Sequence, residues 1–471
     1  MQKLQDSRIA RILVGVILSA CVAAPTVFAA GSTEKAGAEK PTLIWLTAVQ
    51  GGRDPQEITL FDNAIEKYTG VKVNMIKPPS SEYDSKLTTM LATGEPLDIA
   101  YMDAGIFEQL YAQNPQIFTP LTKWIEQSKV LSDPKIIPAS EWNRIRRSNG
   151  EIYAVFNKFE GGTMPIIRMD WLKKLNLPVP QTLDDYYNVL KAFTKDDPDG
   201  NGKNDTYGLA VGYTLYDMSG LFGSQGLMRG FQKDASGKLY SPFATDKAIP
   251  VYQFLARLYK EGILEPNFVT NQSSNFRDLF MSGKAGMTFY WGAWVGLFNQ
   301  MVHAKNPGAA FDAEGIPPPE GPGGRILRSG DDGLMVIPSV SKHKEDAFKV
   351  LEFWHTHQGN VLSSIGIEGH DYTITDGKWA LTDIGKQHAM DHGAPYPKSL
   401  EWKNPFGEPQ GYENAARIIL KYGRPQMITK YDSQWEQITR AEAAKIILGQ
   451  ESASEGIQNM NQKFKEAGIF N

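Results

Sequence analysis

From residue 42 onward, short continuous apolar runs alternate with stretches in which apolar residues recur every three or four positions. Residues 42–48 (TLIWLTA) are nearly all apolar, the pattern of a strand covered on both faces. Asp54 and Pro55 supply a helix N-cap and a first-turn proline. Ile58, Phe61, Ile65 and Tyr68 then share one helical face, and Gly70 closes the helix. Val71, Val73 and Met75 alternate as a second strand. Tyr83, Leu87, Met90 and Leu91 form a second helix ended by Gly94. Residues 97–102 (LDIAYM) make a third strand that stops at Asp103. Strand, helix, strand, helix, strand at this spacing predicts a parallel sheet with right-handed crossovers.

The pattern resumes with extended runs at 152–156 (IYAVF), 165–168 (PIIR), 207–213, 285–290 and 333–337. Thr182, with Asp185 three residues on, caps a helix carrying Leu183, Tyr186, Leu190 and Phe193. Residues 249–259, 347–357, 441–448 and 456–467 are helical by period, and 317–324 (PPPEGPGG) is a loop. No fixed-period repeat is present. Two α/β units follow, with the number of crossings between them left open.

Ahead of residue 42 the pattern changes. Lys3, Arg8 and Arg11 precede an apolar run at 12–24, too short to span a bilayer comfortably. This is a secretory signal peptide. Two cleavage routes compete: release after Ala29 in Val27-Phe28-Ala29, or a lipobox Leu18-Ser19-Ala20-Cys21 in which Cys21 takes the lipid. The signal is therefore 1–29, or 1–20 for a lipoprotein, followed by a flexible tether at 30–40. Cys21 is the only cysteine in 471 residues, so no disulfide framework exists. Apolar content of 41% supports large cores, and the length points to more than one domain. A net charge of −4 gives no reason to expect nucleic acid.

Residues 196–208 read DDPDGNGKNDTYG. Numbered from Asp197, positions one, three and five are Asp197, Asp199 and Asn201; six is Gly202, seven is Lys203 through its carbonyl, and nine is Asp205. Hard oxygen ligands at alternate positions around a turning glycine suit a structural calcium ion. Position twelve is Gly208 rather than a bidentate Glu, so Thr206 or water would complete the shell, and a strand follows where a second helix would stand. The competing reading is a solvated Asp/Asn/Gly turn without metal.

Residues 168–208, together with 280–294 (FMSGKAGMTFYWGAW) and 365–372 (IGIEGHDY), resemble signatures of family 1 extracellular solute-binding proteins of ABC importers, in the alginate-binding and LipO-like branch. The resemblance implies an α/β fold of two lobes, each a mainly parallel sheet flanked by helices, with a carbohydrate in the cleft between them. It also implies the calcium, although the family loop commonly ends in Asp-Glu where this chain has Asp205-Thr206. The expected lobes are 41–155 plus 288–345, and 156–287 plus 346–471. The expected partners are an oligosaccharide and the membrane permease subunits of an importer. The protein is expected as a monomer in the periplasm or at the cell surface, touching membrane only through a lipid on Cys21.

Sugars present apolar C–H faces and a rim of hydroxyls, so aromatic platforms with amide, carboxylate and guanidinium partners suit them. Tyr290, Trp291 and Trp294 follow a strand and are candidate platforms; core packing is the rival role. Asp103 ends a strand at the ligand-facing edge or caps the next helix. Gln50, Asn157, Phe159, Glu160, Trp402 and Glu368 are further candidates. Arg168 is read as a structural ion-pair partner rather than a binder of acidic sugar. An alternative is a secreted polysaccharide-acting enzyme, glycosidase or lyase, with carboxylates such as Asp331 and Asp332. No nucleophile elbow or HExxH occurs, and His355 and His357 point to different helix faces. A second alternative is a two-lobed binder of a peptide or other small molecule.

Overall fold

The computed structural model describes residues 40–48, 51–52, 55–79, 82–137, 139–157, 162–212, 218–329, 333–388 and 402–470. Among these, two sheets carry two lobes. The first has the strand order Lys72–Ile76, Thr42–Leu46, Ile99–Asp103, Gly333–Val336, Ala154–Phe156. Its first three strands are parallel, and Gly333–Val336 runs antiparallel to both of its neighbours. The second has the order Ala313–Gly315, Thr163–Arg168, Ala285–Trp291, Tyr207–Leu209. Only the pairing of Tyr207–Leu209 with Ala285–Trp291 is parallel there.

The two-lobed α/β architecture matches expectation, but the sheets are mixed rather than mainly parallel. Only the first three strands are joined by short helical crossovers, which force parallel pairing. Gly333–Val336 arrives after a long excursion through the other lobe, so nothing fixes its direction. The expected division at 288 also differs from the structure. Ala285–Trp291 is one unbroken strand at the centre of the second sheet, and Ala313–Gly315 lies on that sheet's edge. The helix Lys344–Phe353, expected with the second lobe, buries Ala347, Val350 and Leu351 in the first lobe's core.

Local chemistry explains the elements. Gly70 (φ 70°) and Gly94 (φ 70°) end their helices in the left-handed region that a side chain disfavours. Thr182 and Asp185 form a reciprocal capping box at 3.2 and 3.0 Å. In the first core Trp45 meets Trp354 edge-on, with ring centroids 5.4 Å apart. In the second, Phe222 stacks on Phe243 at 3.8 Å. No described helix is long and apolar enough to cross a membrane.

The described residues flanking two crossings between the lobes pair with one another on both sides. On the first-lobe side the Asn157 N–H donates to Gly333 O at 2.8 Å. On the second-lobe side Gly162 and Ser329 form an antiparallel bridge. Gly162 has φ 131°, and a Cβ there would lie 2.1 Å from Arg328 O. A backbone atom cannot give way as a flexible side chain can. Gly162→Ala is therefore expected to cost more than about 2 kcal/mol, combining backbone strain with a steric clash. Gly237→Ala, also at positive φ (83°) but with open space around it, is the control and should cost about 1 kcal/mol. Denaturant melts of the two variants check this; equal costs would remove the close approach as a constraint.

Candidate functional site

Between the lobes lies a cleft of about 440 Å³. One wall comes from the first lobe: Asp84, Asp103 and the start of the helix Ala104–Gln113. Asp103 ends the strand Ile99–Asp103 at its carboxyl edge, as expected of a ligand-facing residue. It occupies the N-cap position of the following helix, yet its side chain makes no capping hydrogen bond; it accepts from the Tyr101 hydroxyl at 3.0 Å instead. The Tyr83 hydroxyl, 2.8 Å from Tyr101 O, fastens this edge to the neighbouring helix, and burial pushes its pKa well up.

The facing wall belongs to the second lobe. Arg229 donates to Gln426 Oε1 and to Glu436 Oε2, each at 2.7 Å, and lies over the Trp435 ring. Gln426 Oε1 also accepts from Arg328 Nε at 3.3 Å, and Gln426 Nε2 donates to Asp432 Oδ2 at 3.3 Å. The Arg328 guanidinium sits 4.9 Å from the centre of the Trp291 ring. Burial raises the Asp432 pKa, against hydrogen bonds from Thr429 and the charge of Arg229. Gly105 of the first lobe leaves room for Asp432: a Cβ there would lie 3.1 Å from the Asp432 Cβ. Donors and acceptors held by one another in this way need little reorganisation to bind a polyhydroxylated ligand.

Of the residues expected from sequence, the cleft gathers Asp103, Tyr290 and Trp291. Trp294 does not line it. It is 7% exposed in the second lobe's core, between Tyr290 (5.4 Å) and Phe298 (5.6 Å), with Arg277 at 4.0 Å. Spacing of four residues along the helix Trp294–Lys305 sets Trp294 against Phe298, and Tyr290 joins from the end of the strand Ala285–Trp291. Asn157 is fully buried and serves the crossing through its backbone. Glu368 lines a separate groove with Tyr68 and Gln358. Trp402 packs near His357 and against a small cluster that includes Tyr372. Gln50, Phe159, Glu160, Asp331 and Asp332 lie outside the described residues. Arg168 is structural: it is paired twice to Asp170 and lies 4.6 Å from both the Trp171 and the Phe311 ring centres.

Sequence reasoning missed Arg229, Arg328, Gln426 and the helix Asp432–Ile447. A signal for that helix was present. Asp432, Ser433, Glu436, Gln437 and Arg440 fall on one helical face, and all five line the cleft. Another face carries Trp435 and Ile446 into the core. A search for apolar periodicity begins the helix too late, because its first turns are marked by the polar stripe.

The acidic loop follows the helix Leu183–Lys195 and closes on itself. Asp197, at φ 47°, accepts the N–H groups of Gly200, Asn201 and Gly202 at 3.0, 3.0 and 2.9 Å. Asn201 Nδ2 bridges Asp199 Oδ2 (2.8 Å) and Asp205 Oδ1 (3.1 Å), and Lys284 Nζ reaches Asp205 Oδ2 at 2.7 Å. Lys284 and Asn201 hold the Asp205 carboxyl below its ordinary pKa. Thr206 does not face this cluster: its hydroxyl is buried and donates to Phe193 O at 2.7 Å. The short helix-to-strand connection turns the Thr206 side chain into the core.

The sequence profile of bacterial extracellular solute-binding proteins matches residues 54–361. Lipoprotein LipO of Bacillus subtilis (strain 168) is 29% identical over 365 residues, spanning 74% of this chain and 70% of that protein. The polygalacturonan/rhamnogalacturonan-binding protein YtcQ of the same organism is 28% identical over 381 residues, 78% and 73% of the two chains. Among solved structures, the alginate-binding protein AlgQ2 without calcium ion is similar with a TM-score of 0.69 at 22% identity, covering 92% of this chain and 96% of its own.

Arg229 is the cation on which Gln426, Glu436 and Asp432 converge. Arg229→Ala is expected to destabilise the protein by about 2 kcal/mol, because partly buried carboxylates lose their counter-charge. The loss should depend on pH. Asp432 has a raised pKa in the folded state, so protonation relieves it at low pH, and the stability of its neutral form is lost as pH rises through that value. Thermal melts should show a deficit that is large at pH 8 and shrinks towards pH 4.5; a pH-independent deficit would contradict this electrostatic role.

Proposed function

The chain belongs to the bacterial extracellular solute-binding proteins, and from that membership we propose that its solute is an oligosaccharide, captured between the lobes and delivered to the permease subunits of an ABC importer. The family works outside the cytoplasm and binds solutes rather than converting them, which sets aside the enzyme reading. The observation that carries the choice of solute is Trp291 on the cleft wall, backed by Arg328 and faced across the opening by Asp103. A ring of this kind accepts the apolar face of a sugar while the surrounding carboxylates, amides and guanidinium groups take its hydroxyls. The polygalacturonan/rhamnogalacturonan specificity named for YtcQ supports the same class. LipO is a lipoprotein, which favours the Cys21 route of attachment over release at Ala29. The delivering species is a monomer.

Titration calorimetry against a panel of oligogalacturonides, alginate oligosaccharides and neutral fructans tests the reading. Trp291→Ala should weaken the best ligand by about 1–3 kcal/mol while changing the ligand-free melting temperature less. Trp294→Ala should do the reverse, because that ring is core. Unchanged affinity in Trp291→Ala, or sustained release of reducing ends by the wild type, would overturn it.

The acidic loop is the proposed seat of one structural calcium ion. Asp197, Asp199, Asn201, Asp205 and the carbonyl of Lys203 are hard oxygen donors of the required kind. A single Asn201 nitrogen already lies within hydrogen-bond reach of both the Asp199 and Asp205 carboxylates, so those groups converge on one point. With Thr206 turned inward, water completes the shell. Calcium 100-fold above its dissociation constant should stabilise the protein by about 2.7 kcal/mol. Chelation should lower the melting temperature and leave glycan affinity nearly unchanged, and Asp199→Ala should abolish the calcium dependence. Melts indifferent to both calcium and chelator would return the loop to a metal-free turn.

A further inference from the structure

A second group of ligand-type side chains lies in neither the cleft nor the acidic loop. Glu57 ends the short turn Pro55–Glu57 that leads into the helix Ile58–Thr69. Asp371 precedes the strand Tyr372–Thr375, and His388 ends the helix Asp383–His388. Glu57, Asp371 and His388 are all buried, and their ligand atoms lie within 4.8 Å of one another. His388 Nδ1 stands 3.2 Å from Glu57 Oε1 and 3.1 Å from Asp371 Oδ1. A second imidazole joins from the side: His370 Nδ1 is 3.2 Å from Asp371 Oδ2 and 3.6 Å from Glu57 Oε1.

A ring nitrogen carries at most one hydrogen. Here the His388 Nδ1 faces two carboxylate oxygens at nearly equal distances, 3.2 and 3.1 Å, where a single N–H···O bond would favour one of them. A divalent ion accounts for both. Donors about 2.0–2.2 Å from a tetrahedral centre stand about 3.3–3.6 Å from one another, close to the 3.2 and 3.1 Å at which His388 Nδ1 stands from the two carboxylates. One buried imidazole and two buried carboxylates, with water as fourth ligand, are a donor set for zinc and its first-row neighbours rather than for calcium. The surroundings are built to hold it. The Ile367 N–H donates to Asp371 Oδ2 at 2.8 Å, orienting that carboxylate. The Thr382 hydroxyl donates to His370 O, and the Gly385 N–H donates back to that hydroxyl at 3.0 Å. Gly385 itself passes so near Asp371 that a Cβ would meet its carbonyl oxygen at 1.9 Å.

We propose that Glu57, Asp371 and His388 form a binding site for one divalent transition-metal ion, zinc foremost, with water in the fourth position and His370 beside it, held against Asp371. The ion clips the start of the helix Ile58–Thr69 to residues 366–388. It fixes one end of the groove lined by Tyr68, Gln358 and Glu368, and it acts independently of the sugar cleft.

The test uses the full chain, stripped with chelator, and cobalt(II) as a visible probe. One equivalent of cobalt should bind with d–d bands stronger than those of the aquated ion, zinc should displace it, and zinc should raise the melting temperature. His388→Ala should lose the bands. His370→Ala, at the solvent-facing edge of the cluster, should keep the fold and weaken or alter them. Asp199→Ala, in the acidic loop, should keep them unchanged. Cobalt that retains its aqueous spectrum, or bands that persist in both histidine variants, would overturn the site and leave a hydrogen-bonded ionic cluster.

Discussion

The contact between Gly162 and the Arg328 carbonyl is the constraint on which the rest of the molecule depends. It lets the chain after Gly162 and the chain before Ser329 pair closely on the second-lobe side, and residues on both strands build the cleft. Downstream of Gly162 the strand Thr163–Arg168 pairs with Ala285–Trp291 in a register that sets Thr163 opposite Trp291. Upstream of Ser329 the same chain carries Arg328 onto the Trp291 ring. A larger residue at 162 would separate these strands and with them the ring from its cation. Geometry at a backbone crossing thus positions the groups that meet the ligand.

The cleft divides its labour between elements. The first lobe contributes a strand end, where Asp103 points outward because the helix that follows does not use its side chain as a cap. The second contributes a helix with two faces, one in the core through Trp435 and one in the cleft through Asp432, Glu436 and Arg440. Core packing and recognition use different residues of that helix, although Asp432 and Glu436 also hold Arg229 in place. The acidic loop and the cluster at Glu57 stand apart from both, so the effects proposed for metal there on stability can be tested separately from sugar affinity.

Much of the fold was legible from local chemistry. Gly70, Gly94 and the Thr182–Asp185 box mark helix ends because their conformations are local, and they appear as expected. The two-lobed class followed from the signature runs. Long-range direction was not legible: nothing in Gly333–Val336 says that it lies antiparallel between Ile99–Asp103 and Ala154–Phe156. In the site, Asp103 and Trp291 were readable from their place after strands. Trp294 was misplaced because an aromatic residue after a strand fits a platform and a core ladder equally well, and the partners that decide it, Tyr290 and Phe298, are seen only in three dimensions. Arg229, Arg328 and Gln426 come from distant segments whose meeting no local pattern encodes.

A crystal structure of the chain grown with the tightest-binding oligosaccharide tests the account most directly. The account predicts one sugar ring lying on Trp291, with hydroxyls hydrogen-bonded to Asp103 from one lobe and to the Arg328–Gln426–Glu436 network from the other. Sugar bound in the groove beside Glu368, or held by one lobe alone with Trp291 untouched, would contradict it.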